Sequence, residues 1–167
     1  VPFIGMEPAV KPAVAATRSG VVGVLATGAA LAGQKFHTLI QQHASSVRMI
    51  TQPCPGLVEH VERGEIDGDE VRALLRHYVN PLIAAGADVL VLGCTHYPFL
   101  REAIAEIAGE GVQLIDTGAA VARQTARVLE REGLQNAPAA VGDVSFETSG
   151  DAALVMPVIG RLWNLSA

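Results

Sequence analysis

The chain has 167 residues, half of them apolar and 4% aromatic, and it carries a formal net charge of −5 at pH 7. This length suits one domain of ordinary size or two small ones, and the apolar share is sufficient for a packed core. The arginines form no clustered basic face, and no apolar stretch reaches the roughly 20 residues that a bilayer span requires, so we expect neither nucleic acid nor membrane as a partner.

The low cysteine content indicates the compartment. Two cysteines, Cys54 and Cys94, are too few for a disulfide-rich scaffold, and a reducing cytoplasm is the location we expect. A Cys54–Cys94 disulfide remains an alternative. The chain opens with the proline-containing stretch VPFIGMEPAV, which is typical of an internal connection, so we expect it to be part of a longer protein.

Short apolar runs alternate with stretches of helical periodicity along the chain. Strands are predicted at residues 21–27, 47–51, 88–92, 112–116 and 144–148. Helices are predicted at residues 30–44, 55–63, 67–85, 98–110, 117–132 and 151–163, and a loop at 135–141. This alternation predicts an α/β fold of βαβ units around a mostly parallel sheet.

Polar and thiol side chains follow the predicted strands. Thr27 ends the first strand, Cys54 follows the second and Cys94 follows the third, while Asp116 ends the fourth and Thr117 comes directly after it. The carboxyl ends of parallel strands meet at one edge of a sheet, where open α/β sheets bind ligands. Thr27 is therefore a candidate for binding a ligand carboxylate, with capping of the next helix as the alternative, and an N-cap role is predicted for Thr117.

The stretch LGCTHYPFL places Cys94 and His96 two residues apart, directly after a buried strand. Positive charge near a helix N-terminus favours thiolates, and a thiol that titrates near the working pH can serve as a general base and, when protonated, as a general acid. His96 is a candidate for holding or relaying that proton. The alternatives are that Cys94 is a small buried hydrophobe and that His96 makes hydrogen bonds without taking part in chemistry.

Other candidate groups are weaker individually. Glu59 and Glu62, at i and i+3, share a helix face, so either could point into a cleft or both could be solvated. A metal site is one alternative, and its ligands would be Cys54, His60, Cys94 and His96. Because these residues lack a standard zinc spacing, we predict no metal. No glycine-rich phosphate motif is present, and Lys11 and Lys35 lie away from the strand ends, so no cofactor is predicted.

The stretch LGCTHYPFL resembles the second-cysteine signature of glutamate racemases, in the aspartate/glutamate racemase superfamily. Four further stretches agree with that family and follow its order: VPFIGMEPAVKPA, GVVGVLAT, CPGLVEHVE and LIDTGAAVA. The resemblance implies two α/β domains of the racemase type. Residues 1–95 would form most of one domain, and residues 96–167 the returning segment of a second domain whose opening strands are absent.

The resemblance also implies an activity and a set of site residues. These enzymes interconvert L- and D-glutamate without a cofactor, supply D-glutamate for bacterial peptidoglycan and commonly form homodimers. Cys94 matches the second of two catalytic thiols, assisted by His96 and Glu62, and Thr95 and His96 match the substrate site, to which we add Thr27. Cys54 falls in a structural stretch of the family and is not the other catalytic thiol.

Two family motifs are missing from this chain. Neither the Asp-Ser-Gly motif nor the Cys-Asn-Thr motif, which holds the first catalytic cysteine, occurs in the sequence. We therefore expect a chain that is weak or inactive alone and that needs the missing N-terminal segment. The alternatives are a racemase acting on aspartate, a non-catalytic remnant that binds dicarboxylates or a partner, and, less favoured, a cysteine hydrolase.

Overall fold

Four parallel strands form the central sheet of the protein, in a computed structural model that describes residues 1–44, 46–136 and 142–164. The strands are β1 (Val21–Ala26), β2 (Arg48–Pro53), β3 (Val89–Leu92) and β4 (Gln113–Ile115). They lie in the order β2-β1-β3-β4. The predicted α/β class with a parallel sheet is thus confirmed.

Helices connect and flank these strands. They are α1 (Val10–Ala16), α2 (Gly28–Ala32), α3 (Gln34–His43), α4 (Leu57–Glu62), α5 (Asp69–Ala84), α6 (Arg101–Ala108), α7 (Gly118–Arg131) and α8 (Ala152–Asn164). A short 3₁₀ helix, Tyr97–Leu100, leads directly into α6. Within the described residues 1–44, 46–136 and 142–164, no helix is both long and apolar enough to cross a membrane.

The sheet is covered by helices on both faces, which explains the apolar runs in the sequence. All four residues of β3 are buried, as expected for a parallel strand with helices on either side. Val22, Val24 and Val91 join a core with residues of α1 and α3. On the opposite face, Gly23 lies against side chains of Leu90 and Leu82, which come from β3 and α5.

The order of the strands places a switch point between β1 and β3, and the edge of the sheet at this point is called the crevice below. The chain runs from β1 outward to β2 and then crosses back over β1 to form β3. Leu25 pairs with Leu92 in this ladder, and the Gly93 amide continues it by donating to the Leu25 carbonyl at 2.8 Å. Extending the register by two residues sets Thr27 opposite Cys94. In open α/β sheets, this point of reversal is where ligands bind.

Two local predictions were wrong, and one helix was missed. Residues 144–148 form no strand: Val144 and Phe146 are 64% and 40% exposed, and an alternating stretch is not stable as a strand without a neighbour to pair with. The single helix predicted at 30–44 is two helices, α2 and α3, which meet at Gly33. Helix α1 was not predicted, because its Pro12 favours a loop in the sequence. Most of the loop predicted at 135–141 lies outside the described residues.

The chain divides into two compact units. One comprises residues 7–117, with the whole sheet and α1–α6, and the other comprises residues 1–6 together with the described part of 118–167. In the second unit the rings of Phe146 and Trp163 pack edge to face with centroids 5.1 Å apart. The domain boundary predicted at residue 95 from the resemblance stays a prediction. The units of this chain divide at residue 117, because β4 pairs with β3 and α6 packs on α5.

The close packing at Gly23 gives the first test. A Cβ atom added there would lie 2.6 Å from Cδ2 of Leu90 and 2.9 Å from Cδ1 of Leu82, both buried. We expect Gly23→Ala to lower the free energy of unfolding by about 1–3 kcal/mol, as overpacking does. Urea denaturation followed by circular dichroism measures this. Gly28→Ala is the control: it has open space around it and should not destabilise, and equal stability of both variants would contradict the packing.

Asp88 ties the start of β3 to the turn before β1. Its carboxylate accepts hydrogen bonds from the Thr17 hydroxyl at 2.5 Å, the Arg18 amide at 2.7 Å, and the amide and hydroxyl of Ser19, both at 2.9 Å. Burial opposes ionisation, but these four hydrogen bonds outweigh it and hold the pKa of Asp88 well below its usual range.

This depressed pKa predicts a pH-dependent contribution to stability. The ionised form is favoured in the folded state, so its contribution is complete above the unfolded-state pKa of about 3.9 and is lost as the pH falls towards the folded-state pKa. We expect Asp88→Asn to cost about 2 kcal/mol at pH 7. The difference from the wild type should shrink below about pH 4 in urea titrations. Glu110→Gln, at an exposed position, is the control and should change the free energy of unfolding little at either pH. If the stability deficit of Asp88→Asn were as large at pH 3 as at pH 7, the lowered pKa assigned to Asp88 would be refuted.

Candidate functional site

Cys94 lies in the turn that follows β3, at the crevice between β1 and β3. Gly93 lets the chain leave the sheet here, since a Cβ at that position would lie 3.0 Å from the Leu25 carbonyl oxygen. Two buried residues, Leu92 and Tyr97, fix the ends of the turn, and the Tyr97 amide donates to the Cys94 carbonyl at 3.2 Å. The Cys94 side chain is a free thiol and is half-buried, so it is anchored and yet accessible.

His96 lies between a thiol and a carboxylate. Its Nδ1 is 3.7 Å from Sγ of Cys94, and its Nε2 is 2.5 Å from Oε1 of Glu62. The hydroxyl of Thr95 is 3.5 Å from the same Nδ1. A carboxylate can only accept, so we assign the ring proton to Nε2, which leaves Nδ1 with a lone pair facing the thiol. The arrangement can therefore take a proton from the thiol and return it.

Glu62 reaches His96 from the last position of α4. This helix begins after Gly56, whose φ of 89° lies in the left-handed region that glycine adopts without strain. Leu57 and Val61 are fully buried and hold one face of α4 to the core. The sequence alone left Glu59 and Glu62 as alternatives, and the structure brings Glu62 to the histidine. The Glu62 side chain is 66% exposed.

Cys54 differs from Cys94, although both residues follow strands. Cys54 is 2% exposed, its thiol donates to the Gln52 carbonyl at 3.2 Å, and its amide donates to the Ala26 carbonyl. Burial raises the pKa of the Cys54 thiol to about 12. At neutral pH it is therefore a protonated, inaccessible thiol that cannot act as a base.

Thr27 caps α2 at the end of β1. Its hydroxyl oxygen accepts a hydrogen bond from the Ala30 amide at 3.2 Å, which is one of the two predicted roles. The hydroxyl proton is not used by this bond and can still be donated. Binding of a substrate carboxylate by Thr27 therefore stays a prediction.

Two further charge clusters lie at the end of α4 and between α6 and the end of β4. His60, suggested above as a metal ligand, instead pairs with Glu65 at 2.7 Å, and Arg63 pairs with the same carboxylate. The hydrogen bonds from Arg63 and His60 lower the pKa of Glu65 to about 2. Arg101 forms an ion pair with Asp116 and donates to the Leu114 carbonyl, which fixes the start of α6 to the end of β4. Sequence analysis missed this pair, since only the parallel pairing of β3 with β4 reveals it.

The chain is similar to proteins of known family. The Asp/Glu/Hydantoin racemase family model matches residues 1–125. A glutamate racemase of Pseudomonas entomophila is 55% identical over 166 residues, which are 99% of this chain and 62% of the relative, and one of Herpetosiphon aurantiacus is 53% identical over 153 residues, 92% of this chain and 60% of the relative.

A solved structure agrees with these sequence similarities. Escherichia coli glutamate racemase, in complex with L-glutamate and the activator UDP-MurNAc-ala, matches with a TM-score of 0.77 and 32% identity over 95% of this chain and 60% of its own. The chain thus spans about three fifths of the length of the relatives it matches.

The contrast between the two thiols can be measured directly. We expect iodoacetamide to alkylate Cys94 and not Cys54 in the folded protein at pH 7.5, because Cys54 is buried with a pKa of about 12. Peptide mass spectrometry quantifies each site, and labelling in urea, where both cysteines should react, is the control. Faster labelling of Cys54 than of Cys94 would show that the assigned environments are wrong.

Proposed function

Because the chain belongs to the Asp/Glu/Hydantoin racemase family, we propose that it supplies one half of a glutamate racemase active site. The observation that carries this proposal is the line of contacts from Cys94 through His96 to Glu62, at the crevice between β1 and β3. The activity and the substrate follow from relatives that are named glutamate racemases.

Racemisation begins with removal of the α-proton of the amino acid. In the proposed reaction the thiol of Cys94 first gives its proton to Nδ1 of His96, and the resulting thiolate takes the α-proton from one face of the substrate. A proton delivered to the opposite face then completes the inversion. In the reverse direction the Cys94 thiol gives its proton to the α-carbon, so the same residue serves as a base and as an acid.

Glu62 is proposed to orient His96 rather than to touch the substrate. Its carboxylate accepts a hydrogen bond from the Nε2–H group of His96, which fixes the tautomer of the ring. The negative charge of the carboxylate also stabilises the imidazolium that forms when the thiol ionises. Thr95 and Thr27 flank the crevice and carry hydroxyl donors suited to the carboxylates of glutamate.

The acid for the opposite face is proposed to come from a segment outside these 167 residues. The other cysteine of this chain, Cys54, is buried with a pKa of about 12 and cannot exchange protons with a substrate at neutral pH. About two fifths of the length of each relative lies outside the part that this chain matches. That length is sufficient for a second α/β segment. The chain alone is therefore expected to exchange the α-proton of one enantiomer and to invert it slowly.

The cellular setting is proposed from the same family membership. A cytoplasmic enzyme that needs no cofactor would supply D-glutamate for peptidoglycan, and a homodimer is the proposed assembly. D-Glutamate auxotrophy of a cell that lacks the full-length protein would agree with this role.

Exchange of the α-proton tests the proposal. The chain is incubated with L-glutamate and, separately, with D-glutamate in D₂O, and the loss of the α-proton signal is followed by ¹H NMR. We expect exchange with one enantiomer, and we expect Cys94→Ser to lower its rate by roughly a hundredfold or more, since a general base contributes 10²–10⁴-fold.

The second cysteine offers a matched control. Cys54→Ala also removes one thiol, but it should keep the exchange rate within about twofold, because the general base that carries the 10²–10⁴-fold contribution is retained. An exchange rate of Cys94→Ser equal to that of the wild type would refute the proposed base. If calorimetry showed that glutamate binds, but neither the wild type nor Cys94→Ser exchanged the α-proton, the chain would instead be a binding protein.

A further inference from the structure

Two buried tyrosines donate hydrogen bonds to consecutive backbone carbonyls beside the candidate site. The hydroxyl of Tyr97 donates to the carbonyl of Cys54 at 3.4 Å, and that of Tyr78 donates to the carbonyl of Pro55 at 2.8 Å. Tyr97 is fully buried and Tyr78 is 6% exposed. The two side chains come from different parts of the fold, the turn after β3 and helix α5, and they meet at the same dipeptide.

This dipeptide leads directly into α4. Cys54 and Pro55 join β2 to Gly56, at which α4 begins, and α4 carries Glu62 at its far end. The helix has only six residues and no side-chain hydrogen bond at its N-cap. So short a helix has little stability of its own, and its direction depends on the packing of Leu57 and Val61 and on what holds its ends.

The contact between Glu62 and His96 needs such support. The Glu62 side chain is 66% exposed and that of His96 is 29% exposed. An exposed pair of this kind contributes little free energy and loses side-chain entropy on forming, so it does not fix its own geometry. The buried contacts behind it must do so.

We propose that Tyr97 and Tyr78 are positioning residues, which hold α4 so that the Glu62 carboxylate meets Nε2 of His96. The contacts close a ring: Tyr97 follows His96 in the chain, binds Cys54, and so connects the histidine to the helix whose glutamate returns to it. A catalytic consequence of this geometry rests on the proposed racemase function. The effect on the His96 ring does not depend on that function.

The hydroxyls of Tyr78 and Tyr97 remain protonated hydrogen-bond donors at neutral pH. Burial raises the pKa of both tyrosines above the ordinary value, so neither ionises near neutral pH. Replacement by phenylalanine keeps the ring in the core and removes only the hydrogen bond. The two substitutions therefore separate the hydrogen bond from the packing of the aromatic ring.

The test uses Tyr97→Phe and Tyr78→Phe, with Glu62→Gln as the reference for a broken contact. The ¹⁵N chemical shifts of the His96 ring, measured by NMR at a fixed neutral pH, report which nitrogen carries the proton and how strongly it is hydrogen-bonded. We expect both phenylalanine variants to move these shifts towards those of Glu62→Gln. We also expect the rate of α-proton exchange to fall about tenfold in each, since a misplacement of about 1 Å can cost up to a hundredfold.

Non-additivity distinguishes positioning from a general loss of stability. If the tyrosines act through Glu62, adding Tyr97→Phe to Glu62→Gln should cause almost no further loss of exchange, whereas independent effects would multiply. Val10→Ala, a core variant in α1, is the control: it should lower stability and leave the His96 shifts unchanged.

The outcomes separate the inference from the proposed function. His96 shifts equal to the wild type in both tyrosine variants, or fully multiplicative losses in the double variant, would overturn the inference. If the wild type exchanges no α-proton, the proposed function fails, and the ¹⁵N shifts alone still decide whether the tyrosines position Glu62. Should Tyr97→Phe not fold, Tyr78→Phe tests the same geometry from α5.

Discussion

The pairing of β1 with β3 is the constraint on which the candidate site depends. These two strands are neighbours in the sheet although β2 separates them in the chain, so their ends meet where the winding reverses. Glycine makes the pairing close: Gly23 admits the side chains of Leu90 and Leu82, and a Cβ at Gly93 would crowd the Leu25 carbonyl. Cys94 follows immediately, and its position is therefore set by backbone hydrogen bonds and core packing rather than by its own contacts.

Burial assigns different chemistry to the two thiols of the chain. Both follow parallel strands at the same edge of the sheet, and a sequence argument based on strand ends treats them alike. Cys54 is buried in the connection between β2 and α4, where the cost of desolvating a thiolate keeps it protonated. Cys94 lies in a turn open to the crevice and has a histidine within reach. The electrostatic environment, rather than the position along the strand, decides which sulfur can exchange a proton.

The fold and the site were predictable to different degrees. The buried strands were recognised because β1 and β3 are continuous apolar runs, and Cys94 and His96 were recognised because two residues in one turn remain close in any fold. Glu62 is 34 positions from His96, and from the residues alone it was equivalent to Glu59; the resemblance named it, and the turn at Gly56 explains how it arrives. The tyrosine contacts were not foreseen, since an aromatic residue at helical spacing is ordinarily part of the core. The strand expected at 144–148 failed because pairing depends on a neighbour that local pattern does not reveal.

The turn between Leu92 and Tyr97 has a consequence for how such sites diversify. Both ends are anchored in the core, whereas Thr95 is exposed and Cys94 and His96 are only half-buried. Natural selection can therefore exchange the side chains of this tripeptide with little penalty in folding. The same scaffold could in this way acquire different reactive groups over evolutionary time while its architecture is inherited unchanged.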